Sequence, residues 1–386
     1  MENNKTKKLR LLSLASVVLS AMLGGGIFDL PKNMASVAGA KAQIIAWIVV
    51  GIGMWFVTSM FLKLTELKPD LTTGLYKYRE AGFGKFTGFF VSWGYWICEC
   101  FSNVAYAVLI MSTLNYFFPE KFSGGNNWPS VIGATIILWG MTFIIAYGIE
   151  QAGWVTVVGT VVRMAVIALI IVSLSIHFKL VTFTTIFSAS QSIPALHDQS
   201  LGSIPHQVLK TMTVTLWAFG GIEGAVVLSD RAKSQLEVKR ATAIGYFMCL
   251  ALYFIVSLLP LGLLSYGEIA RMVSPSTAQL LTLAMHCSAG RLIIAAGLIV
   301  SVLSCWLSWT MMLAEMPFAA AKDGAFPKIF AKENKKHVPV FSLFAATVVM
   351  QLIILLSHFA NDAFQMAYTI VATMTVPPYF ISALYL

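Results

Sequence analysis

The chain has 386 residues, of which 58% are hydrophobic and only 11% are charged. A soluble globular domain carries about a quarter charged residues, so this composition excludes the soluble classes and predicts an integral membrane protein. The formal net charge of +9 comes from basic residues dispersed among short loops rather than aligned in a stripe. It therefore does not indicate a nucleic-acid partner.

Ten apolar stretches are each long enough to cross about 30 Å of hydrocarbon as a helix, which takes roughly 20 residues. The sequence has no alternating pattern typical of barrel strands, so an all-α membrane protein is predicted. The predicted spans are 11–35, 43–62, 86–116, 131–148, 155–176, 208–228, 241–264, 292–321, 340–356 and 364–386.

Lys and Arg residues between these spans predict the orientation of the chain, because basic loops resist translocation. The N-terminus and the loops 63–85, 229–240 and 322–339 hold 18 of the 26. The opposite side, counting span ends as well as loops, holds seven, and Arg163 lies deeper within a span. We therefore expect a multi-pass protein of the plasma membrane, which is the inner membrane in a bacterium. Both termini would be cytoplasmic, with a flexible extracellular loop at 184–207.

Two glycine clusters interrupt apolar spans, at 24–28 and 219–224, about 195 residues apart. Glycine is costly inside a helix because its backbone loses the most freedom on ordering. The pair therefore favours breaks near mid-membrane, where secondary transporters bind substrate. Each cluster lies in the first span of a five-helix block, and five is odd, so the second block would be inverted relative to the first. Close packing of helices around small residues is the alternative.

The ends of a broken helix leave backbone groups without intrahelical partners. Amides from Gly24 to Ile27 begin a half-helix whose positive end attracts a carboxylate. Carbonyls that end the preceding half, and those near 217–220, can accept hydrogen bonds from an ammonium. Backbone groups that bind a carboxylate, next to backbone groups that bind an ammonium, indicate a binding site for an α-amino acid.

Enzymatic chemistry, metals and cofactors are not predicted. The six histidines have no metal-ligand spacing, the early glycines lack the Gly-Lys-Ser/Thr of a phosphate loop, and no nucleophile elbow occurs. The five cysteines lack disulfide or metal spacing and are assigned to packing. A channel lined by glycine-broken helices is the rival class of function.

Five segments in chain order carry a family pattern. They are GGGIFDLPKNMA (24–35), WGYWI (93–97), TLWAFGGIEGA (215–225), LSWT (307–310) and AAAKDGAFPK (319–328). Together they resemble the amino acid, polyamine and organocation transporter superfamily, and within it the basic amino acid antiporters, especially the arginine/ornithine antiporters. The resemblance covers essentially the whole chain.

The resemblance implies the leucine-transporter fold, a 5+5 inverted repeat with helices 1 and 6 broken. The whole chain would be one transmembrane domain, with repeats at about 11–178 and 208–386. The family normally adds two further helices, which the 386 residues do not include: either the tenth helix ends the protein or the sequence is a fragment. Since those helices lie outside the transport core, we expect the substrate site to be complete, whereas stability and a homodimer would depend on them.

The resemblance also implies site residues by position. Gly24 to Gly26 look like the carboxylate loop, and Trp217, Ala218 and Gly220 look like the helix 6 face of the site. With Ile27 and the helix 3 and helix 8 residues, the predicted substrate-binding set is Gly24, Gly25, Gly26, Ile27, Glu99, Asn103, Trp217, Ala218, Gly220 and Trp309. The predicted gating or coupling residues are Glu223, Trp217 and Arg163, with structural pairing as the alternative for Arg163.

Glu99 departs from the small or neutral residue of the family pattern. It shares a helix face with Trp96, Cys100 and Asn103. A carboxylate at mid-span costs at least about 2.5 kcal/mol, so we expect it to face a wet cavity or a cation. A protonated glutamate bonded between helices is the alternative. With Asp29 and Glu223 it would make the cavity acidic, which favours a cationic substrate.

The sequence thus predicts a secondary transporter that exchanges a cationic amino acid such as arginine for a related cation such as ornithine, by alternating access. Trp217 and Trp309 would each add about 0.5–2 kcal/mol of cation–π attraction if stacked. Exchange of two monocations moves no net charge and needs neither ATP nor a metal. Proton-coupled uptake is the first alternative function, and a channel is the second.

Overall fold

The computed structural model describes residues 11, 15, 18–19, 22–67, 75–185, 187–190, 199–222, 234–285 and 288–386. Within these residues the regular structure is helical, as predicted. The α-helices, in chain order, are α1 (Leu30–Ala35), α2 (Ala40–Leu67), α3 (Leu75–Leu114), α4 (Trp128–Tyr147), α5 (Ile149–Ile176), α6 (Leu180–Thr185), α7 (Ile204–Ala218), α8 (Gln235–Leu258), α9 (Tyr266–Ala270), α10 (Ser276–Met285), α11 (Ser288–Lys322), α12 (Val340–Ser357) and α13 (Ala363–Tyr385).

Eight helices in the described part of the chain are long and apolar enough to cross a membrane, namely α2, α3, α4, α5, α8, α11, α12 and α13. Each coincides with one of the ten predicted spans. The predicted spans without a continuous counterpart, 11–35 and 208–228, are the two that contain the glycine clusters, and part of each lies outside the described residues. The count of ten spans therefore stays a prediction.

The first break lies at the predicted glycines. Described residues as far as Met22 are helical, and Gly24 is extended with φ −69° and ψ −172°. A 3₁₀ turn, Gly25–Phe28, follows, and α1 begins at Leu30 with Pro31 in its first turn, a position where proline removes no intrahelical hydrogen bond. Helix 1 is therefore two half-helices joined by a short non-helical segment.

The second break ends α7. The amide of Phe219 bonds back to the carbonyl of Thr215 at 3.3 Å, and Gly221 has φ +89°, a conformation that residues with a Cβ rarely adopt. The predicted gating residue Glu223 lies outside the described residues. Both predicted breaks are thus present, and they bring irregular backbone to the inside of the helix bundle.

The long helix α3 carries the largest set of internal polar residues. Gly84, with φ +84° and ψ 170°, separates its first segment from the predicted span, which begins at 86. The span then packs against α11, α12 and α13. Because three helices surround it, polar side chains on this span face the interior of the protein rather than lipid.

One end of the predicted loop at 184–207 is anchored by Gln207, in the first turns of α7. Gln207 is 0% exposed. Its side-chain oxygen accepts from the amide of Gly39 at 3.0 Å, and its side-chain nitrogen donates to the carbonyls of Ser188 and Gly202. Most other described residues of the loop are exposed or half-buried, so its flexibility stays a prediction.

Two exposed positions, Ser200 and Lys335, test the orientation. We predict that Ser200→Cys reacts with a membrane-impermeant maleimide in intact cells, whereas Lys335→Cys reacts only after permeabilisation, because basic loops stay in the cytoplasm. The four described native cysteines are buried, and a Cys287→Ser background removes the fifth. The opposite labelling pattern would reverse the orientation.

Candidate functional site

A small cavity lies where the two helix breaks meet α3, α11 and α13. Its volume is about 30 Å³, which leaves room for one or two water molecules. The structure brings eight of the ten predicted substrate-binding residues to its wall, namely Gly24, Gly26, Ile27, Glu99, Trp217, Ala218, Gly220 and Trp309. The other two, Gly25 and Asn103, do not line it.

The three glycines of the first break face different neighbours. A Cβ on Gly24 would lie 2.6 Å from the hydroxyl of Tyr106, and a Cβ on Gly25 would lie 2.9 Å from Leu109 Cδ2. A Cβ on Gly26 would overlap the indole ring of Trp217. Gly25 therefore serves the packing against α3, whereas Gly24 and Gly26 keep the cavity wall free of side chains.

Trp217 closes the cavity over the first break. Its ring lies on Gly26 and packs against Tyr368, with 5.4 Å between ring centroids, and edge-on against Phe364 at 5.7 Å. Small-molecule pockets measure about 300–1,000 Å³, ten times this cavity or more. In this conformation the cavity is therefore too small for a molecule the size of an amino acid.

One face of α3 supplies the polar wall of the cavity. Glu99, Ser102 and Tyr106 follow one another at spacings of three and four, which places them on one side of a helix. Glu99 is only 3% exposed. The expectation that this carboxylate faces an internal cavity agrees with its place in the wall.

Asn103 lies beyond the cavity, between α3, α11 and α12. It is 0% exposed, and its nitrogen donates to Thr310 Oγ1 at 3.4 Å and approaches Met350 Sδ at 3.5 Å. Its oxygen has no hydrogen-bond partner within the described residues. Trp96, on the same predicted face, donates to the carbonyl of Leu313 at 2.9 Å. On this face of α3, Glu99 therefore lines the cavity, whereas Trp96 and Asn103 take part in helix packing.

Arg163 holds the end of the first half of helix 1. Its guanidinium donates to the carbonyl of Leu23 at 2.6 Å, to Ser301 Oγ at 3.0 Å and to Ser304 Oγ at 3.3 Å, with the Ser301 carbonyl 3.4 Å away. The planar fork of arginine suits several acceptors at once. Arg163 therefore joins the end of the first half of helix 1 to the middle of α11.

Asp29 is not part of the cavity wall, which corrects the expectation that it would make the cavity acidic. It is 1% exposed, accepts from Ser274 Oγ at 2.6 Å and accepts from the amide of Ser276 at 2.8 Å. Lys32 Nζ donates to the same Ser274 oxygen at 3.0 Å. Thr277 Oγ1 donates to the carbonyl of Phe28 at 2.8 Å. Asp29 therefore ties the second half of helix 1 to the start of α10.

Several residues of the wall were not in the predicted set. They are Met22, Leu30, Ser102, Tyr106, Tyr253 and Val371. Ser102 and Tyr106 could have been found by extending the helical period from Glu99. Tyr253 lies 35 residues after Ala218 in α8, and nothing in the sequence around it points to a site.

The comparisons with known proteins agree with this arrangement. A family model described as amino acid permease matches residues 9–386. A putative amino-acid transporter of Clostridium perfringens is 51% identical over 383 residues, covering 99% of this chain and 79% of that protein. Arginine/agmatine antiporters of Chlamydia felis and Chlamydia pneumoniae are each 45% identical, covering 99% of this chain and 78% of theirs.

A solved structure shows the same fold. It is that of a Na⁺-coupled sialic acid symporter in a substrate-bound outward-open state, with a TM-score of 0.63 and 15% sequence identity. The superposition covers 97% of this chain and 78% of that one. The predicted leucine-transporter-type fold is therefore confirmed.

The contact between Gly26 and Trp217 is testable without a ligand. We predict that Gly26→Ala destabilises the protein by about 1–3 kcal/mol through overpacking. The cost should largely disappear in a Trp217→Ala background, because the smaller side chain leaves room for the methyl group. Thermal melting in detergent measures this double-mutant cycle. Gly94→Ala is the matched control, since a Cβ there meets nothing within 4 Å, and equal costs in both backgrounds would refute the contact.

Proposed function

This chain belongs to the amino acid permease family, and from that premise we propose that it exchanges a cationic amino acid, arginine or a close analogue, for a related cation. The protein is a multi-pass integral membrane amino acid transporter and not an enzyme. The observation that carries the cationic substrate is Glu99, a buried carboxylate in the cavity wall between the two helix breaks. The cation exchanged for arginine would be ornithine, or agmatine, which the names of the Chlamydia relatives contain.

The two ends of the substrate meet different parts of the site. The α-carboxylate lies at the amides of Gly25 to Ile27, which begin the 3₁₀ turn and belong to the first helical groups, which have no intrahelical partners. The α-ammonium lies at the carbonyls that end the half-helices. The side chain then extends toward α3, and its charge pairs with Glu99.

Glu99 favours a cation because a buried carboxylate attracts positive charge more strongly than one in water. A guanidinium or ammonium that reaches the cavity can form an ion pair with it and donate hydrogen bonds to it. Trp309, which lines the same cavity, offers a ring face to the cationic side chain. Asn103, one turn beyond Glu99, adds a buried oxygen that has no hydrogen-bond partner in the described chain and can accept from a guanidinium once the wall opens.

The gate of the site is Trp217. Alternating access begins when its ring leaves Gly26 and enlarges the cavity, and the ring then closes again over the bound substrate. Arg163 keeps the inner half of helix 1 bonded to α11 through Leu23, Ser301 and Ser304. The positive charge of Arg163 already joins helix 1 to α11. A bound Na⁺ is therefore not needed to hold these two elements together during the cycle.

Counterflow in proteoliposomes tests the proposed function. Vesicles loaded with unlabelled ornithine or agmatine should accumulate labelled arginine, and empty vesicles should not, with or without Na⁺ and with or without a pH gradient. Lysine, putrescine and citrulline complete the substrate set. Uptake into empty vesicles that follows a pH gradient would replace exchange by proton-coupled symport, and non-saturable flux would indicate a channel.

The role of Glu99 is tested by removing its charge and keeping its shape. Glu99→Gln should weaken arginine binding by about 1.5–3 kcal/mol, or roughly ten- to hundred-fold. The affinity for the neutral isostere citrulline should fall far less, because citrulline makes no ion pair with Glu99. Competition binding of both ligands to wild type and variant measures the difference.

Glu120→Gln makes the same chemical change at an exposed carboxylate and should change neither affinity. If Glu99→Gln weakened both ligands equally, Glu99 would hold α3 in place and would not bind the substrate charge.

A further inference from the structure

The hydroxyl of Tyr253 joins the two helix breaks. Its oxygen lies 2.6 Å from the carbonyl oxygen of Met22, at the end of the first half of helix 1, and 2.7 Å from the carbonyl oxygen of Ala218, at the end of α7. All three residues line the cavity. Three oxygen atoms from three separate helices thus meet at one point of the wall.

These three oxygens share a single proton. A phenol has one O–H donor and two acceptor lone pairs, and a backbone carbonyl has only acceptors. The hydroxyl can therefore fully satisfy only one of the two carbonyls at a time. The Met22 carbonyl also accepts from the amide of Gly24 at 2.8 Å. The cluster has more acceptors than donors, and it faces the cavity.

The hydroxyl is held firmly in this position. Tyr253 is 2% exposed, and its ring stacks on Trp47 with 5.7 Å between centroids and an interplanar angle of 16°. Phe219 packs edge-on against the same ring at 5.9 Å. Trp47 is itself anchored by its Nε1, which donates to Ser257 Oγ at 2.8 Å. The aromatic contacts leave the ring little freedom to turn the hydroxyl away from the two carbonyls.

We propose that Tyr253 is a specificity-determining residue that selects substrates with a primary ammonium at the α position. Three N–H donors of an ammonium match three acceptors, the Met22 carbonyl, the Ala218 carbonyl and the Tyr253 oxygen. The hydroxyl proton then stays on the Ala218 carbonyl, whose second lone pair remains open to the ammonium, because the Met22 carbonyl already accepts from the amide of Gly24 and has one lone pair left. This inference rests on the proposed function, because it assigns a further residue to the same site.

The selectivity follows from which ligands carry that amine. Arginine has it, and agmatine keeps it although the carboxylate is gone. 5-Guanidinopentanoate keeps the carboxylate and the guanidinium but has no amine. A hydroxyl that recognises the ammonium should matter to the first two ligands and not to the third.

The test is Tyr253→Phe, which removes one oxygen and keeps the ring. Affinities for arginine, agmatine and 5-guanidinopentanoate are measured by competition binding to the purified full chain. We expect affinities about ten-fold or more weaker for arginine and agmatine, with 5-guanidinopentanoate within two-fold of wild type. The matched control is Tyr246→Phe on the same helix, whose hydroxyl donates to the carbonyl of Gly51 and which should leave the ratio of the three affinities unchanged.

Each outcome has one meaning. Equal losses for all three ligands would make Tyr253 a purely structural tie between the helices, and unchanged or stronger binding of arginine and agmatine would exclude the hydroxyl from amine recognition. Either result overturns the inference and leaves the proposed function intact. Wild-type protein that binds neither arginine nor agmatine would instead overturn the proposed function.

Discussion

Backbone polar groups freed by a broken helix inside a bilayer must find partners in the protein, because hydrocarbon offers none. The described residues around the two breaks meet this requirement with side chains from distant helices. Arg163 bonds the Leu23 carbonyl, Tyr253 bonds those of Met22 and Ala218, and Thr277 bonds that of Phe28. The breaks therefore do not weaken the bundle but determine which helices must lie next to them.

The same requirement bears on the proposed substrate site. Arg163 and Thr277 satisfy carbonyls from outside the cavity, whereas Tyr253 does so from its wall, where small residues such as Gly24 and Gly26 also lie. Backbone atoms are thus exposed toward a small internal space beside a buried carboxylate, Glu99. Electrostatic interactions are stronger in such a space than in water, so few groups suffice for the proposed binding of a zwitterion with a charged side chain.

Sequence reasoning recovered the parts of the fold that depend on local composition. Eight continuous spans and both breaks follow from hydropathy and from glycines, and of the α3 wall Glu99 was predicted, whereas Ser102 and Tyr106 were not. The contacts of Asp29, Asn103 and Tyr253 could not be predicted from the sequence, because each contact joins segments that are far apart in the chain. Asp29 and Ser274, for example, are 245 positions apart. A buried carboxylate looks the same in sequence whether it faces a ligand or caps a neighbouring segment.

The two halves of helix 1 are anchored to different parts of the protein, and this difference constrains how the site can open. The second half is bonded through Asp29 to the start of α10, and the first half is bonded through Leu23 to Arg163. Between the anchors lies Gly24, in an extended conformation with no side chain to obstruct rotation. Movement of either half therefore concentrates its backbone change at the amides of the proposed substrate site, and in that proposal access and binding are mechanically coupled.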